Sequence, residues 1–251
     1  MEEIKAVVLA GGLGTRLRSA VPSLPKALAS VGDKPFLELL VQQLSRQGIR
    51  RLVMCTGYLG EQIEEVFQDG TAFDVHIAYS REATPMGTGG ALKLAETYVE
   101  TEAEFFVLNG DSFLEVDFNA LLRFHREHNG WATMAVIPCK NTSRYGTVRL
   151  SNDGRVEGFV EKTGHNTSGI INAGVYVFSG AVLAQIPDGP TSLERDVFPK
   201  LLEKGIYASE QQGTFIDIGI PEDYELARSM SDRLADASLR HYSSIPRTVL
   251  P

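Results

Sequence analysis

Ala6-Val7-Val8-Leu9-Ala10-Gly11-Gly12-Leu13-Gly14-Thr15-Arg16-Leu17, near the start of a 251-residue chain, decides the fold. From Ala6 to Ala10 no polar residue occupies either side-chain parity, so both faces are to be buried, as in a strand inside a parallel sheet. The glycine cluster then marks a turn at the strand's carboxyl end, where ligands collect in such sheets. Glycine lets backbone amides approach phosphate oxygens, and Arg16 adds a guanidinium fork that matches a phosphate. Neither standard phosphate loop is present. The dinucleotide fingerprint needs glycine where Leu17 stands, and the P-loop needs Gly-Lys-Ser/Thr.

Downstream, residues 35–47, 61–67, 87–99 and 119–128 carry helical periodicity, while 4–10, 51–56, 73–79, 104–108 and 132–138 read as strands. This alternation predicts an α/β fold with a mostly parallel sheet covered by helices on both faces. From Tyr145 the pattern changes. Residues 147–150, the turn Asn152-Asp153-Gly154, and residues 156–161 and 170–178 predict a small antiparallel lobe. Helical periodicity returns at 192–203, with Ser192 as cap, and at 221–234, with Pro221 in the first turn. Residues 238–251 show no periodic face.

With 24 Lys and Arg against 32 Asp and Glu, the net charge of −8 argues against nucleic acid or an anionic membrane surface as partner, but admits a small anionic ligand. A hydrophobic content of 43% excludes general disorder. The 2 cysteines, Cys55 and Cys139, lack CxxC spacing and indicate neither a disulfide framework nor a zinc site. No apolar run reaches the ~18 residues of a membrane span, and Met1-Glu2-Glu3 does not begin a leader. A cytoplasmic location is therefore expected, in which the triplets at Asn141 and Asn166 carry no glycan.

Four further segments carry chemistry. Pro25-Lys26 follows an irregular stretch, residues 18–24, that suits a loop closing over a ligand; Arg16 and Lys26 together make a clamp for a triphosphate. Asp111 ends the apolar strand of Phe106-Val107-Leu108-Asn109-Gly110-Asp111, where it suits a hard cation such as Mg²⁺. Asp217, in Phe215-Ile216-Asp217-Ile218-Gly219, repeats that placement as a second metal ligand. Glu82-Ala83-Thr84-Pro85-Met86-Gly87-Thr88-Gly89-Gly90-Ala91 is a second glycine-rich turn opening a helix, suited to a base or ribose edge.

Together these segments resemble the sugar-1-phosphate nucleotidyltransferase family across nearly all of residues 4–230, with Phe159-Val160-Glu161-Lys162 and Asn172-Ala173-Gly174 completing the pattern. The resemblance implies a three-layer α/β/α Rossmann-like nucleotidyltransferase fold and Mg²⁺ held by Asp111 and Asp217. It implies catalysis by Arg16, Lys26 and the two aspartates, and nucleotide contacts from Leu9, Ala10, Gly11, Gly12, Gly14, Thr15, Arg16, Lys26, Glu82, Pro85, Gly87, Thr88 and Asp111. Gly146, Glu161, Asn172 and Gly174 fall to the sugar and Lys162 to its phosphate. Residues 1–235 then form one domain, its nucleotide part about 1–140 and its sugar part about 141–235, with a tail at 236–251. A homo-oligomer is left open.

A sugar 1-phosphate already carries an ionised oxygen nucleophile, so the reaction needs positioning and charge neutralisation and no general base. At Glu82 a carboxylate can accept from the N1 and N2 hydrogens of guanine, which points to GTP; uracil and thymine offer one donor beside two carbonyls. Within the family, Ser192-Leu193-Glu194-Arg195-Asp196 and residues 215–224 resemble the heptose 1-phosphate guanylyltransferases, with mannose 1-phosphate or another hexose phosphate as alternatives. An A-type glycosyltransferase would show Asp-x-Asp, but Phe113 follows Asp111-Ser112. A non-catalytic relative would have lost Arg16, Lys26 or an aspartate, and all are present.

Overall fold

The computed structural model describes residues 4–160, 167–240 and 242. The first half runs β1 (Lys5–Leu9), β2 (Ser30–Val31), β3 (Lys34–Pro35), α1 (Phe36–Arg46), β4 (Arg51–Thr56), α2 (Gly60–Phe67), β5 (His76–Arg81), α3 (Gly87–Leu94), α4 (Glu96–Val99), β6 (Glu104–Asn109), β7 (Ser112–Leu114) and α5 (Phe118–His128). The second half adds β8 (Ala132–Cys139), β9 (Thr147–Leu150), β10 (Val156–Val160), β11 (Gly169–Ser179), α6 (Phe198–Leu201), β12 (Ile206–Glu210), β13 (Phe215–Asp217), α7 (Pro221–Ser229) and α8 (Ser231–Ser238).

Strands β5, β4, β1 and β6 lie side by side in that order and run parallel. Their registers pair Leu9 with both Cys55 and Asn109, and Cys55 with Ser80, so the carboxyl ends of all four strands lie level. Both faces of β1 are buried, as its composition requires. Ala6 and Val8 enter one core with Leu37, Leu40 and Leu44 of α1 and Phe118 of α5. Val7 enters the other with Leu92 of α3, Phe178 of β11 and Phe198 of α6. The three-layer α/β/α arrangement is therefore present.

Several expectations are corrected. The antiparallel lobe is not a separate unit: β11 is built into the nine-stranded sheet, antiparallel to β6 on one side and to β8 on the other, and β12 pairs in parallel with β8. The hairpin of β9 and β10 joins that sheet where Thr147 faces Ile171. Strand β5 starts at His76 because residues 71–73 form a 3₁₀ turn. The expected helices at 87–99 and 221–234 each divide, at Ala95 and Met230. Residues 192–203 open with a π-helical turn over Leu193–Val197, whose Ser192 cap accepts from the Arg195 amide. The domain limit at 235 falls inside α8, where Ala237 and Ser238 are buried. Residue 241 and residues 243–251 of the expected tail lie outside the described residues. No helix among the described residues is long and apolar enough to cross a membrane.

His125 of α5 is buried, with Nδ1 2.9 Å from Thr133 Oγ1. Burial holds its pKa below the ordinary 6.5; Glu104 opposes this in part and Arg126 adds to it. Protonation therefore favours the unfolded chain. Stability from this group is intact above about pH 6.5 and is lost as pH falls through the lowered folded value. Denaturant unfolding at stepped pH should show a steeper acid-side loss for wild type than for His125→Gln; equal slopes would contradict it.

Candidate active site

Because the parallel strands end level, the segments that follow them converge. After β1 comes the glycine loop, after β5 comes Glu82, and after β6 come Gly110 and Asp111. These segments surround a cavity of about 280 Å³. Leu9, Ala10, Gly11, Gly12, Gly14, Lys26, Glu82, Pro85, Gly87, Thr88 and Asp111 all line it, so the sequence-predicted nucleotide set converges almost whole. Leu13, Ala27, Ala91, Asn109 and Gly110 line it as well. Of these, Asn109 and Gly110 stood inside a quoted motif without a role.

Thr15 and Arg16 do not line this cavity. Both are exposed, and Arg16 instead lines a second cavity of about 250 Å³ with Arg144, Tyr145, Asp217, Gly219, Ile220 and Asp223. Leu17, which replaces the fingerprint glycine, is buried in the core and fixes the turn from inside. Gly14 has φ of +59° and must be glycine for that turn, and its amide carbonyl accepts from Leu17 N. Lys26 lies in the first cavity, whereas Arg16 lines the second together with Asp217.

Asp111 and Asp217 arrive from different strands. Asp217 ends β13, which pairs antiparallel with β7 so that Asp217 faces Ser112, and Ile218 N donates to the Asp111 carbonyl. Ser112 Oγ lies 3.3 Å from Asp111 Oδ1 and 3.1 Å from Asp217 Oδ2. Burial and the Asp111 charge raise the Asp217 pKa, while Lys26, the Gly219 amide and Ser112 oppose the rise. Gly219 N donates to Asp217 Oδ1 at 2.5 Å, and Lys26 Nζ forms an ion pair with Asp111. Two carboxylates that meet at one serine hydroxyl are a donor set suited to a hard divalent cation, whose remaining ligands would be phosphate oxygens and water. Among the described residues no cluster of three or more His, Cys, Asp or Glu offers a fuller cage.

Glu82 is held in the wall. Its Oε2 accepts from Met86 N at 3.0 Å, and burial raises its pKa against that amide's lowering effect. A Cβ on Gly11 would fall 2.5 Å from Glu82 Oε1, and Gly57 confronts the same oxygen, so both glycines make room for this carboxylate.

The glycines of the second loop have a different cause from the expected one. A Cβ on Gly87 would lie 2.6 Å from the Thr191 carbonyl oxygen, and one on Gly90 would lie 2.5 Å from that of Gly189. Gly89 N donates to Thr191 O, and Thr191 N to Met86 O. These residues are small so that α3 can dock on residues 189–191. Thr88 Oγ1 then donates to Glu194 Oε2 and accepts from Leu193 N, at 2.9 and 2.8 Å.

The described sugar-side residues, Gly146, Asn172 and Gly174, line neither cavity. Gly146 adjoins Tyr145, whose ring meets Phe215 edge-on at 6.3 Å. Asn172 Oδ1 accepts from Gly174 N, and its Nδ2 donates to Tyr176 Oη. Glu161 and Lys162 lie outside the described residues.

A glycine-walled cavity at the strand ends, lined by Lys26 and Asp111 with Asp217 joined to Asp111 through Ser112, defines a protein built to handle a nucleotide and its phosphates. The chain belongs to the nucleotidyl transferase family, whose model matches residues 5–232. It is 39% identical over 242 residues to the D-glycero-alpha-D-manno-heptose 1-phosphate guanylyltransferase of Aneurinibacillus thermoaerophilus, covering 95% of this chain and 100% of that protein. It is also 39% identical over 225 residues to the catalytic subunit beta of mannose-1-phosphate guanylyltransferase from Danio rerio, covering 88% of this chain; it spans only 62% of that relative's length. Among solved structures, HddC from Yersinia pseudotuberculosis complexed with GMP-PN matches with a TM-score of 0.80 and 33% identity over 90% of this chain and 98% of that one.

Gly87 has φ of +69° as well as its clash with Thr191. Gly87→Ala should cost on the order of 1–3 kcal/mol in denaturant unfolding, because the backbone strain and the lost docking of α3 add. Unchanged stability would contradict this account of the loop.

Proposed function

We propose that the chain transfers GMP from GTP to a sugar 1-phosphate, forming a GDP-sugar and pyrophosphate, with D-glycero-α-D-manno-heptose 1-phosphate as acceptor. The observation that carries the reaction class is that Lys26 and Asp111 pair in the lining of the glycine-walled cavity while Ser112 links Asp111 to Asp217. The heptose reading is supported by similarity that runs the full length of the heptose enzyme. The mannose relatives favour mannose 1-phosphate as the second reading.

The sugar phosphate oxygen attacks the nucleotide α-phosphorus in line, so the barrier is lowered by orientation and by neutralising charge on the phosphates. No described histidine lines the cavity, in keeping with a nucleophile that needs no base. Asp111 and Asp217 would hold the divalent cation, Mg²⁺ in this reading, which supplies positive charge against the α-phosphate. Lys26 pairs with Asp111 in the cavity lining, where its ammonium would hold a phosphate of the nucleotide. Arg16 reaches the phosphates from the far side of Asp217. By resemblance Lys162 holds the attacking phosphate, and Gly146, Glu161, Asn172 and Gly174 shape the sugar site. A cytoplasmic location suits both substrates.

Glu82 reads guanine through its N1 and N2 hydrogens. A desolvated carboxylate set against uracil carbonyls would lose on the order of 1–3 kcal/mol. Steady-state turnover with GTP, UTP, CTP and dTTP should favour GTP in wild type and lose that preference in Glu82→Gln. Equal use of UTP by wild type would overturn guanine recognition.

Asp111→Asn and Asp217→Asn should each lower kcat by at least about a hundredfold while thermal unfolding stays cooperative. A wild-type rate in either variant would remove that aspartate from the metal site.

A further inference from the structure

One buried carboxylate lines neither cavity of the active site. Glu115 follows β7 in the apolar run Phe113-Leu114-Glu115-Val116, and it is only 8% exposed. A charge in such a place is costly unless hydrogen-bonding and charged partners meet it. Both of its oxygens are met. Oε2 accepts from Thr214 N at 3.1 Å, and Oε1 forms an ion pair with Arg240, just beyond the end of α8. Glu115 N in turn donates to the Thr214 carbonyl at 2.8 Å, and a Cβ on Gly213 would overlap the Glu115 carbonyl oxygen.

These partners bear on the metal site through the β7–β13 ribbon. Its ladder pairs Leu114 with Phe215, Phe113 with Ile216 and Ser112 with Asp217. A two-stranded pairing that short is marginal by itself, and a slip of one residue would turn Asp217 away from Ser112 and Asp111. Strand β7 is held from α1. Gln43 Nε2 donates to Leu114 O at 2.9 Å, and Gln47 Nε2, at the end of that helix, donates to Val116 O at 2.8 Å. Strand β13 is held at its Thr214 end by Glu115 and by α8. Arg233 Nε donates to Thr214 Oγ1 at 3.1 Å, and Arg240, about two helical turns further on, grips Glu115. Helix α8 is itself seated in the core through Leu234 and Ala237.

We infer that Glu115 and Arg240 are positioning residues for the aspartate pair. Their ion pair fixes the register of β13 on β7, and so holds Asp217 where it and Asp111 bind one divalent cation. The chain just after α8, outside both cavities, is thereby part of the metal-binding machinery. This rests on the metal-assisted reading above. An ion pair serving stability alone would leave the metal affinity unchanged in every variant that folds.

The test titrates Mn²⁺, in place of Mg²⁺, into the nucleotide-free protein and follows the free ion by electron paramagnetic resonance. The Mg²⁺ concentration that gives half-maximal kcat is measured in parallel. Partners that orient metal-holding groups are worth about 10–100-fold in metal affinity. Glu115→Ala and Arg240→Ala should therefore bind Mn²⁺ at least about tenfold more weakly than wild type, and need correspondingly more Mg²⁺. Arg240→Lys, which keeps the charge, should recover most of the affinity. Glu115→Gln keeps an acceptor for Thr214 N and loses only the charge, so it serves if Glu115→Ala does not fold, with the same direction of change. Leu121→Ala in the core side of α5 should lower the Tm without weakening Mn²⁺ binding. Wild-type Mn²⁺ affinity in folded Glu115→Gln and Arg240→Ala, or an equal loss in Leu121→Ala, would overturn the inference. If wild type binds no Mn²⁺, or binds it as well as Asp217→Asn does, the metal assignment itself falls.

Discussion

The close approach of Asp111 and Asp217 is the constraint around which the rest is arranged. Two carboxylates share one serine hydroxyl, and for Asp217 burial and the neighbouring Asp111 charge both disfavour the ionised form. The chain does not bring them together cheaply: it takes the parallel sheet to place Asp111 at the end of β6 and a separate two-stranded pairing, β7 with β13, to place Asp217 against it. Lys26 and the Gly219 amide offset part of the repulsion in the absence of ligand. What remains is an electrostatic demand that a divalent cation and a phosphate can meet together.

That local demand resolves the chain's acidity. The net charge of −8 describes the chain as a whole, whereas the site sets Lys26 in one cavity and Arg16, beside Asp217, in the other. Those two cations lie in different cavities, so a ligand that engages both must pass by the aspartates.

Much of this was legible from residues 6–17 and 104–111, because an unbroken apolar strand has one environment in which it is stable and a glycine turn has one end of the sheet on which to act. The nucleotide set converged for the same reason. What escaped sequence reading was tertiary. Nothing local marks β11 as a strand that enters the main sheet beside β6, since its alternation suits a peripheral hairpin equally well. The Gly87 to Gly90 loop lines the cavity through Gly87 and Thr88, as its sequence suggested, but nothing local shows that residues 189–191 also press on three of its glycines. Arg16 follows the glycine turn in sequence, yet Leu17 anchors in the core and turns its neighbour toward the second cavity. The sequence also gives no sign that the Asn172 amide bonds Gly174 N and the Tyr176 hydroxyl where the β11 register shifts.

The most direct measurement is ³¹P NMR of the protein incubated with GTP and D-glycero-α-D-manno-heptose 1-phosphate, with and without Mg²⁺. The account predicts equal growth of pyrophosphate and GDP-heptose signals that depends on the cation and is abolished by chelation. Product formation unaffected by removing divalent metal, or none with heptose, mannose or other hexose 1-phosphates, would contradict it.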